Sequence, residues 1–248
     1  PQAILTNVLG TKNIADLSVK YGVQRFIMVS TDKAVNPTNI MGASKRIAEI
    51  YVQSLFLKLV KENEHCTKFI TTRFGNVLGS NGSVVPYFKK QIAQGGPITV
   101  THPDIIRYFM TIPEASSLVL EAATLGNGGE IFVFDMGQPV KISDLAKNMI
   151  RLAGYVPGKD IEIVYTGLRP GEKLYEELLN QKELTIPTTN EKILVAKVRE
   201  YDFDEVSASI EQLIRSAQEG KVFPTVQLMK EIVPEYKSKN SIYEQLDK

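Results

Sequence analysis

The stretch Phe26-Ile27-Met28-Val29-Ser30-Thr31-Asp32-Lys33, followed by Ala34 to Ile40 and by Met41-Gly42-Ala43-Ser44-Lys45, decides the fold. Phe26 to Val29 is a short apolar run without charge, the pattern of a fully buried parallel strand. The run stops abruptly in two hydroxyls, a carboxylate and an amine. Polar groups at the carboxyl end of a buried strand stand where open α/β sheets place their ligands. Pro37 and Asn39 keep the next residues in a loop. A helical pattern then runs from about Gly42 to Glu62, with Lys45 in its first turn. A cation there opposes the helix dipole, so a bound anion or a polarised hydroxyl is the reason to look for.

Outward from this stretch the pattern alternates. Ala3 to Tyr21 carries apolar residues near helical spacing, and Gly22 suits the C-terminal cap. A second strand is predicted from Lys68 to Asn76, ending in Arg73-Phe74-Gly75-Asn76-Val77-Leu78-Gly79, where Gly75 and Gly79 permit close backbone approach. Helix, strand, helix, strand is the order of an α/β sheet. Ser83 is placed to cap the helix that follows it. Pro97 to Val100 reads as a short strand, and Pro113 and Glu114 as the first turn of a helix. Ile131 to Asp135 reads as a buried strand and Val140 to Ile150 as an amphipathic helix with Ser143 as cap. Arg169-Pro170-Gly171-Glu172-Lys173 is a tight turn leading toward a helix; Arg169 offers two parallel donors to a diphosphate or ribose, and Glu172 can accept from ribose hydroxyls or orient Arg169. Lys192 to Val198 is a last strand, Asp204 to Ala217 and Phe223 to Ile232 are helices, and 235–248 is a polar, frayed or interaction tail.

Composition bounds the rest. The chain has 248 residues, 43% hydrophobic and 23% charged, enough for one or two globular domains. A formal charge of +1 gives no broad electrostatic case for nucleic acid. The single cysteine, Cys66, excludes an internal disulfide and is compatible with a reducing compartment. No apolar run approaches the roughly 20 residues of a membrane span. His65 and His102 have no second ligand at metal-site spacing, so no metal is expected. The chain opens on Pro1 within a helical pattern and contains no Gly-x-Gly-x-x-Gly, which reads as part of a longer protein whose pyrophosphate-binding turn lies upstream.

Thr31-Asp32-Lys33, Met41 and Lys45 together resemble the active-site segment of the extended short-chain dehydrogenase/reductases. They are most similar to the nucleotide-sugar 4,6-dehydratases of bacterial polysaccharide biosynthesis, the CapD-like group. Its Ser/Thr and Tyr-x-x-x-Lys set falls on Thr31, position 41 and Lys45, and Met41 stands where most members have Tyr. That departure matches a large, membrane-attached subgroup with Met-x-x-x-Lys. Thr6-Asn7-Val8-Leu9-Gly10-Thr11-Lys12-Asn13, the Arg73–Gly79 segment and Arg169–Lys173 also match family patterns, to about Leu179.

The resemblance implies an α/β fold: the C-terminal part of a Rossmann-type parallel sheet with a smaller α/β substrate-binding domain. Residues 1–82 and 104–138 would belong to the nucleotide-binding domain, its first βαβ half missing; 83–103 and 139–200 to the substrate-binding domain; 201–248 to C-terminal helices and tail. It implies a UDP-sugar substrate, NAD or NADP bound and recycled, and a cytoplasmic enzyme that self-associates through helices 3–21 and 42–62, in the second of which Ile47, Tyr51 and Leu55 widen the apolar surface. In the full-length protein upstream helices would attach it to the cytoplasmic face of the inner membrane. Thr31, Asp32, Lys33, Met41 and Lys45 would be catalytic. Ser30, Lys45, Arg73 and Gly75 would face the cofactor. Asn76, Ser83, Val84, Arg107, Arg169 and Glu172 would face the substrate.

The implied reaction removes water across C5 and C6 of UDP-N-acetylglucosamine, with retention at C5. By resemblance Asp32 is the acid at the C6 oxygen and Lys33 the base at C5. Neighbours in an extended segment point oppositely, so both reach one sugar only if the loop bends. Desolvation favours the neutral forms that these roles need, and nearby cations oppose a protonated Asp32. Met41 exchanges no proton, so the 4-hydroxyl must use Thr31, Asp32 or water. A nucleotide-sugar 4-epimerase and a non-catalytic nucleotide-sugar-binding module are the alternatives; an Asp-Lys pair is superfluous for the first.

Overall fold

A computed structural model describes residues 1–62, 66–177, 184–197 and 199–247. His65, Val198 and the stretch 178–183 lie outside the described residues. A π-helical stretch, Ile4–Leu9, runs into α1 (Gly10–Lys20), and β1 (Arg25–Val29) follows after Gly22 at φ +64°. Then come a 3₁₀ turn (Asp32–Ala34), α2 (Ile40–Glu62), β2 (Lys68–Arg73), β3 (Asn76–Val77), α3 (Val84–Ala93) and β4 (Ile98–Val100). The middle holds β5 (Ile106–Arg107), β6 (Phe109–Met110), α4 (Ile112–Leu125), β7 (Ile131–Phe134), β8 (Val140–Lys141), α5 (Ile142–Leu152) and β9 (Ile163–Tyr165). The chain closes with β10 (Leu184–Pro187), β11 (Ile193–Lys197), α6 (Phe203–Gln218), α7 (Val222–Ile232) and a 3₁₀ turn, Ile242–Leu246.

The main sheet has the order β1-β2-β7-β11-β10. β1 and β2 are parallel neighbours in the register Phe26↔Phe69, and β2 pairs parallel with β7. β11 and β10 extend the sheet antiparallel. One face packs Met28 and Phe69 against α1, α2, α6 and α7; the other packs Ile70, Phe132 and Phe134 against Ala115, Leu118 and Ala122 of α4. Each such fully buried aromatic or aliphatic side chain contributes about 1.5–3 kcal/mol relative to exposure. A separate cluster joins Phe88 and Ile92 of α3, Ile98 and Val100 of β4, and Ala146 and Ile150 of α5. It forms a small unit beside the carboxyl ends of the strands.

Several expectations are corrected. β1 lies at the edge of the described sheet, so only Met28 is buried and Val29 is 48% exposed. α2 starts at Ile40, two residues earlier than the periodicity indicates, because the Asn39 Oδ1 accepts from the Gly42 amide at 2.9 Å; this puts Lys45 in the second turn. Val140 and Lys141 are a strand, and Ser143, inside the first turn of α5, donates to the Pro103 carbonyl instead of capping. No helix follows Glu172 within the described residues up to Glu177. Ile47, Tyr51 and Leu55, offered as an association surface, are covered by α6 and α7 of the same chain. The C-terminal segment is ordered: Tyr236 is buried, and Ser241 with Glu244 forms a capping box. Among the described residues no helix is long and apolar enough to cross a membrane.

Candidate active site

The chain beyond β1 stays tied to β2, through Ser30 N to Thr72 O at 2.7 Å and Asp32 N to Phe74 O at 3.1 Å. It then bends into the 3₁₀ turn, and this bend brings Asp32 and Lys33 together. Lys33 Nζ lies 2.8 Å from Asp32 Oδ1 and 3.4 Å from Asn76 Oδ1. Thr31 Oγ1 donates to the same Asp32 Oδ1 at 2.8 Å and accepts from the Lys33 amide. Asp32 is fully buried, and its Oδ2 has no partner among the described residues. Gly75 passes so close that a Cβ there would lie 3.1 Å from Oδ2. Asn76 is held by its own amide, which donates to the Tyr108 carbonyl at 3.1 Å.

Met41 heads α2 with 43% exposure, close to where the sequence register places it, and its backbone carbonyl accepts from Ser44. Lys45 Nζ donates to the Val29 carbonyl at 3.1 Å, and burial lowers its proton affinity, partly offset by Glu49. Ser30 is buried at the end of β1; its hydroxyl makes no well-formed hydrogen bond among the described residues but faces the Glu49 carboxyl and helps to hold it low. Arg73 is not available to a ligand: it is 1% exposed and bound by Glu49 through Nε at 2.9 Å and Nη2 at 2.6 Å. Burial pushes the Glu49 carboxyl up, but Arg73 and Arg46 overturn this and hold it at about 2. The proposed cofactor contact at Arg73 is thus replaced by a structural one, because a guanidinium so deep needs a carboxylate in place of water. Arg46 in turn reaches Glu235 of the C-terminal segment at 3.2 Å.

Beside this turn is a cleft of about 490 Å³. Asn76, Ser83, Val84, Arg107, Arg169 and Glu172 all line it, together with Tyr87, Thr99 and Thr101, which sequence reasoning missed. Ser83 sits at the N-cap of α3 but makes no capping bond; its Oγ is buried and has no partner among the described residues. The amides of that helix start are therefore not closed off by a side chain, the arrangement that suits an anion. Glu172 accepts from Thr101 Oγ1 at 3.2 Å, from the Arg169 amide at 3.0 Å and from Arg107 at 3.4 Å. Arg169 is exposed on the rim, with no ion pair among the described residues.

The turn bearing Arg169 is locked to the loop before α2. Gly171, at φ +74°, donates its amide to the Lys239 carbonyl at 2.6 Å, and its carbonyl accepts from Thr38 and Asn39. Lys173 Nζ reaches the Val35 carbonyl at 2.9 Å, and the Lys237 amide reaches the Pro37 carbonyl at 3.1 Å. Glu176, also unforeseen, is buried next to this junction; the two carboxylates four residues apart after Arg-Pro-Gly were the signal that could have found it. Among the described residues no group of three or more His, Cys, Asp or Glu is placed to hold a metal.

Residues 1–198 match the model of a family described as polysaccharide biosynthesis protein. The chain is 56% identical over 221 residues to the capsular polysaccharide biosynthesis protein CapD of Staphylococcus aureus, which covers 89% of this chain and 36% of that protein. It therefore spans about a third of that relative's length. Among solved structures, Pen from Bacillus thuringiensis superposes with a TM-score of 0.69 at 34% identity, over 78% of this chain and 59% of that one. A dTDP-glucose 4,6-dehydratase from Bacillus anthracis, in complex with NAD, shares the Rossmann-type fold with a TM-score of 0.56 at 22% identity, over 66% and 57%.

Proposed function

We propose, from the premise that this chain belongs to the polysaccharide biosynthesis protein family, that it carries the catalytic and substrate-binding part of a UDP-N-acetylglucosamine 4,6-dehydratase using NAD or NADP. The observation that carries this reading is the pair of buried Asp32 and part-exposed Lys33 opening, through Asn76, onto a cleft with an uncapped helix start and arginines on two sides. A diphosphate fits between the first amides of α3 and the guanidinium of Arg107 or Arg169, and Tyr87 offers an aromatic face to a base. The Ser30 hydroxyl and the half-buried Lys45 ammonium, both at the end of β1, fit the ribose and nicotinamide end of the dinucleotide. When bound, the dinucleotide would take the hydride from C4, leaving a 4-ketone that acidifies the C5 proton, and would return it at C6 after the C6 oxygen has left.

The chain's own residues then move protons. Lys33 takes the C5 proton, and Asp32 gives one to the departing C6 oxygen. Their 2.8 Å hydrogen bond gives a direct path for a proton between the two side chains. Thr31 Oγ1, already donating to Asp32, holds that carboxyl in place. Lys45 keeps positive charge near the 4-hydroxyl, and Met41 only packs.

The test is product analysis of the full-length protein with UDP-N-acetylglucosamine and NAD(P), followed by NMR in deuterated water. A 4-keto-6-deoxy product with deuterium at C5 and retained configuration is expected. Recovery of only a C4 epimer, with no loss of water, would replace this reading with a 4-epimerase. Binding without any conversion would make the chain a nucleotide-sugar-binding module.

A further inference from the structure

Residues 199–247 lie beyond the span that matches the family model, yet their last stretch reaches both the loop before α2 and the turn bearing Arg169. Residues 236–239 have no regular structure of their own. They touch the site through two backbone bonds, from the Lys237 amide to the Pro37 carbonyl at 3.1 Å and from the Gly171 amide to the Lys239 carbonyl at 2.6 Å. Ser238, between them, is held separately. Its amide donates to Asp247 Oδ2 at 3.1 Å, and its hydroxyl accepts from Lys230 Nζ of α7 at 2.8 Å. Lys230 and Asp247 are themselves an ion pair at 2.5 Å. Their side chains are only 9% and 20% exposed, so salt screens the pair little. The ammonium also lies 4.0 Å from the centre of the ring of Tyr236, which is buried. An ion pair, a hydroxyl, an amide and an aromatic face thus close on one residue, and a polar network with its members satisfied is rigid.

We propose that the Lys230–Asp247 pair is a latch that sets how tightly the cleft holds its nucleotide, by fixing the carbonyl on which the Arg169 turn rests. Gly171 is the point of transmission. Its amide is bound by Lys239, and its carbonyl accepts from Thr38 Oγ1 at 2.8 Å and Asn39 Nδ2 at 2.9 Å. Glu172 closes the same turn: its amide donates to the Arg169 carbonyl, and its carboxylate accepts from the Arg169 amide, both at 3.0 Å. Arg169 and Glu172 line the cleft. With the latch closed, Lys239 stays in place and the turn presents these two residues in one arrangement. With it open, 236–239 is a loose loop, the Gly171 amide loses its partner, and Arg169 samples several positions. Binding must then order the turn, and that entropy comes off the affinity. The loop before α2 keeps its own anchors, in Asn39 and in Lys173, which reaches the Val35 carbonyl at 2.9 Å, so the Asp32–Lys33 turn is spared. Lys230 and Asp247 are therefore positioning residues that act on binding.

That the ligand is a UDP-sugar rests on the function proposed above; the coupling of latch to turn does not. Wild-type full-length protein is compared with Asp247→Ala and with Lys230→Met combined with Asp247→Leu, a double variant that leaves no charge of the pair behind. Hydrogen exchange, read by mass spectrometry, follows a peptide covering Gly171 and, as reference, one covering Ile70 of β2. Calorimetry gives the affinity for UDP. In both variants Gly171 is expected to exchange about tenfold faster while Ile70 keeps its protection. UDP is expected to bind about tenfold more weakly. KM for UDP-N-acetylglucosamine is expected to rise by the same factor at unchanged kcat, the pattern of lost uniform binding. Unchanged exchange at Gly171, or faster exchange with unchanged UDP affinity, would overturn the proposal. So would equal loss of protection at Gly171 and Ile70, which is general destabilisation, or a fall in kcat at constant KM, which puts the effect on the catalytic side. If wild type binds no UDP, the nucleotide-sugar reading fails by itself and Gly171 exchange alone decides the coupling. Should Asp247→Ala not fold, the double variant carries the same test.

Discussion

Replacing Glu49 by glutamine removes the one carboxylate that two buried guanidinium groups share. Glu49 is fully buried, and it accepts from Arg73 at 2.9 and 2.6 Å and from Arg46 at 3.0 Å. Its carboxyl is held at about 2 against an ordinary value of 4.5, which corresponds to about 3 kcal/mol at roughly 1.4 kcal/mol per unit. Breaking a buried pair from one side independently costs about 3–5 kcal/mol, because the partner charges stay behind. Glu49→Gln is therefore expected to lose about 3–5 kcal/mol at about pH 7, read from urea unfolding midpoints. The folded value is depressed, so this stabilisation is present above the unfolded value and is lost as pH falls through it toward 2. Glutamine has nothing to lose there, so the gap between wild type and variant should narrow as the pH drops. A gap below about 1 kcal/mol at neutral pH, or one of constant size down to about pH 3, would refute the reasoning.

Asp32→Asn and Lys33→Ala should each lower turnover of UDP-N-acetylglucosamine by about 10²–10⁴-fold, whereas Met41→Leu, which only repacks, should cost less than about 1.5 kcal/mol. Near wild-type rates for Asp32→Asn would remove that carboxyl from the mechanism. Gly171→Ala would place a Cβ 2.5 Å from Asn39 Cβ and 2.9 Å from the Thr38 carbonyl, at a φ of +74°. It should cost about 1–3 kcal/mol by urea unfolding and loosen the rim of the cleft, seen as weaker UDP binding by calorimetry. Arg107→Lys keeps the charge but loses the planar fork, and should weaken UDP by about tenfold, or roughly 1.4 kcal/mol.

The parallel pairing of Phe26 with Phe69 was legible because a charge-free apolar run leaves few alternatives, and the cleft residues were legible because they sit in motifs. What was not legible depends on long-range neighbours. Arg73 looks like a ligand-binding arginine until Glu49, on another element, is seen to fill its donors. Ile47, Tyr51 and Leu55 look like an association face until α6 and α7 cover them. The C-terminal segment reads as a tail on composition, since its work is done by backbone groups of Lys237 and Lys239, which composition does not reveal. Ser143 and Ser83 occupy cap-like positions, yet the first is taken by the Pro103 carbonyl and the second is left unbonded at the cleft.

The clasp between residues 235–239 and the loop before α2 also sets a timetable. The ribosome delivers Arg46, just after the Asp32–Lys33 turn, early, but its partner Glu235 comes 189 residues after Arg46. At about 5–20 residues per second that interval is roughly 10–40 s of synthesis. Throughout it the loop before α2 lacks the Lys237 amide, and the turn bearing Arg169, once made, still waits for the Lys239 carbonyl. The sheet can assemble as its strands emerge, whereas the loop and turn that border the cleft are clasped only when the last segment arrives.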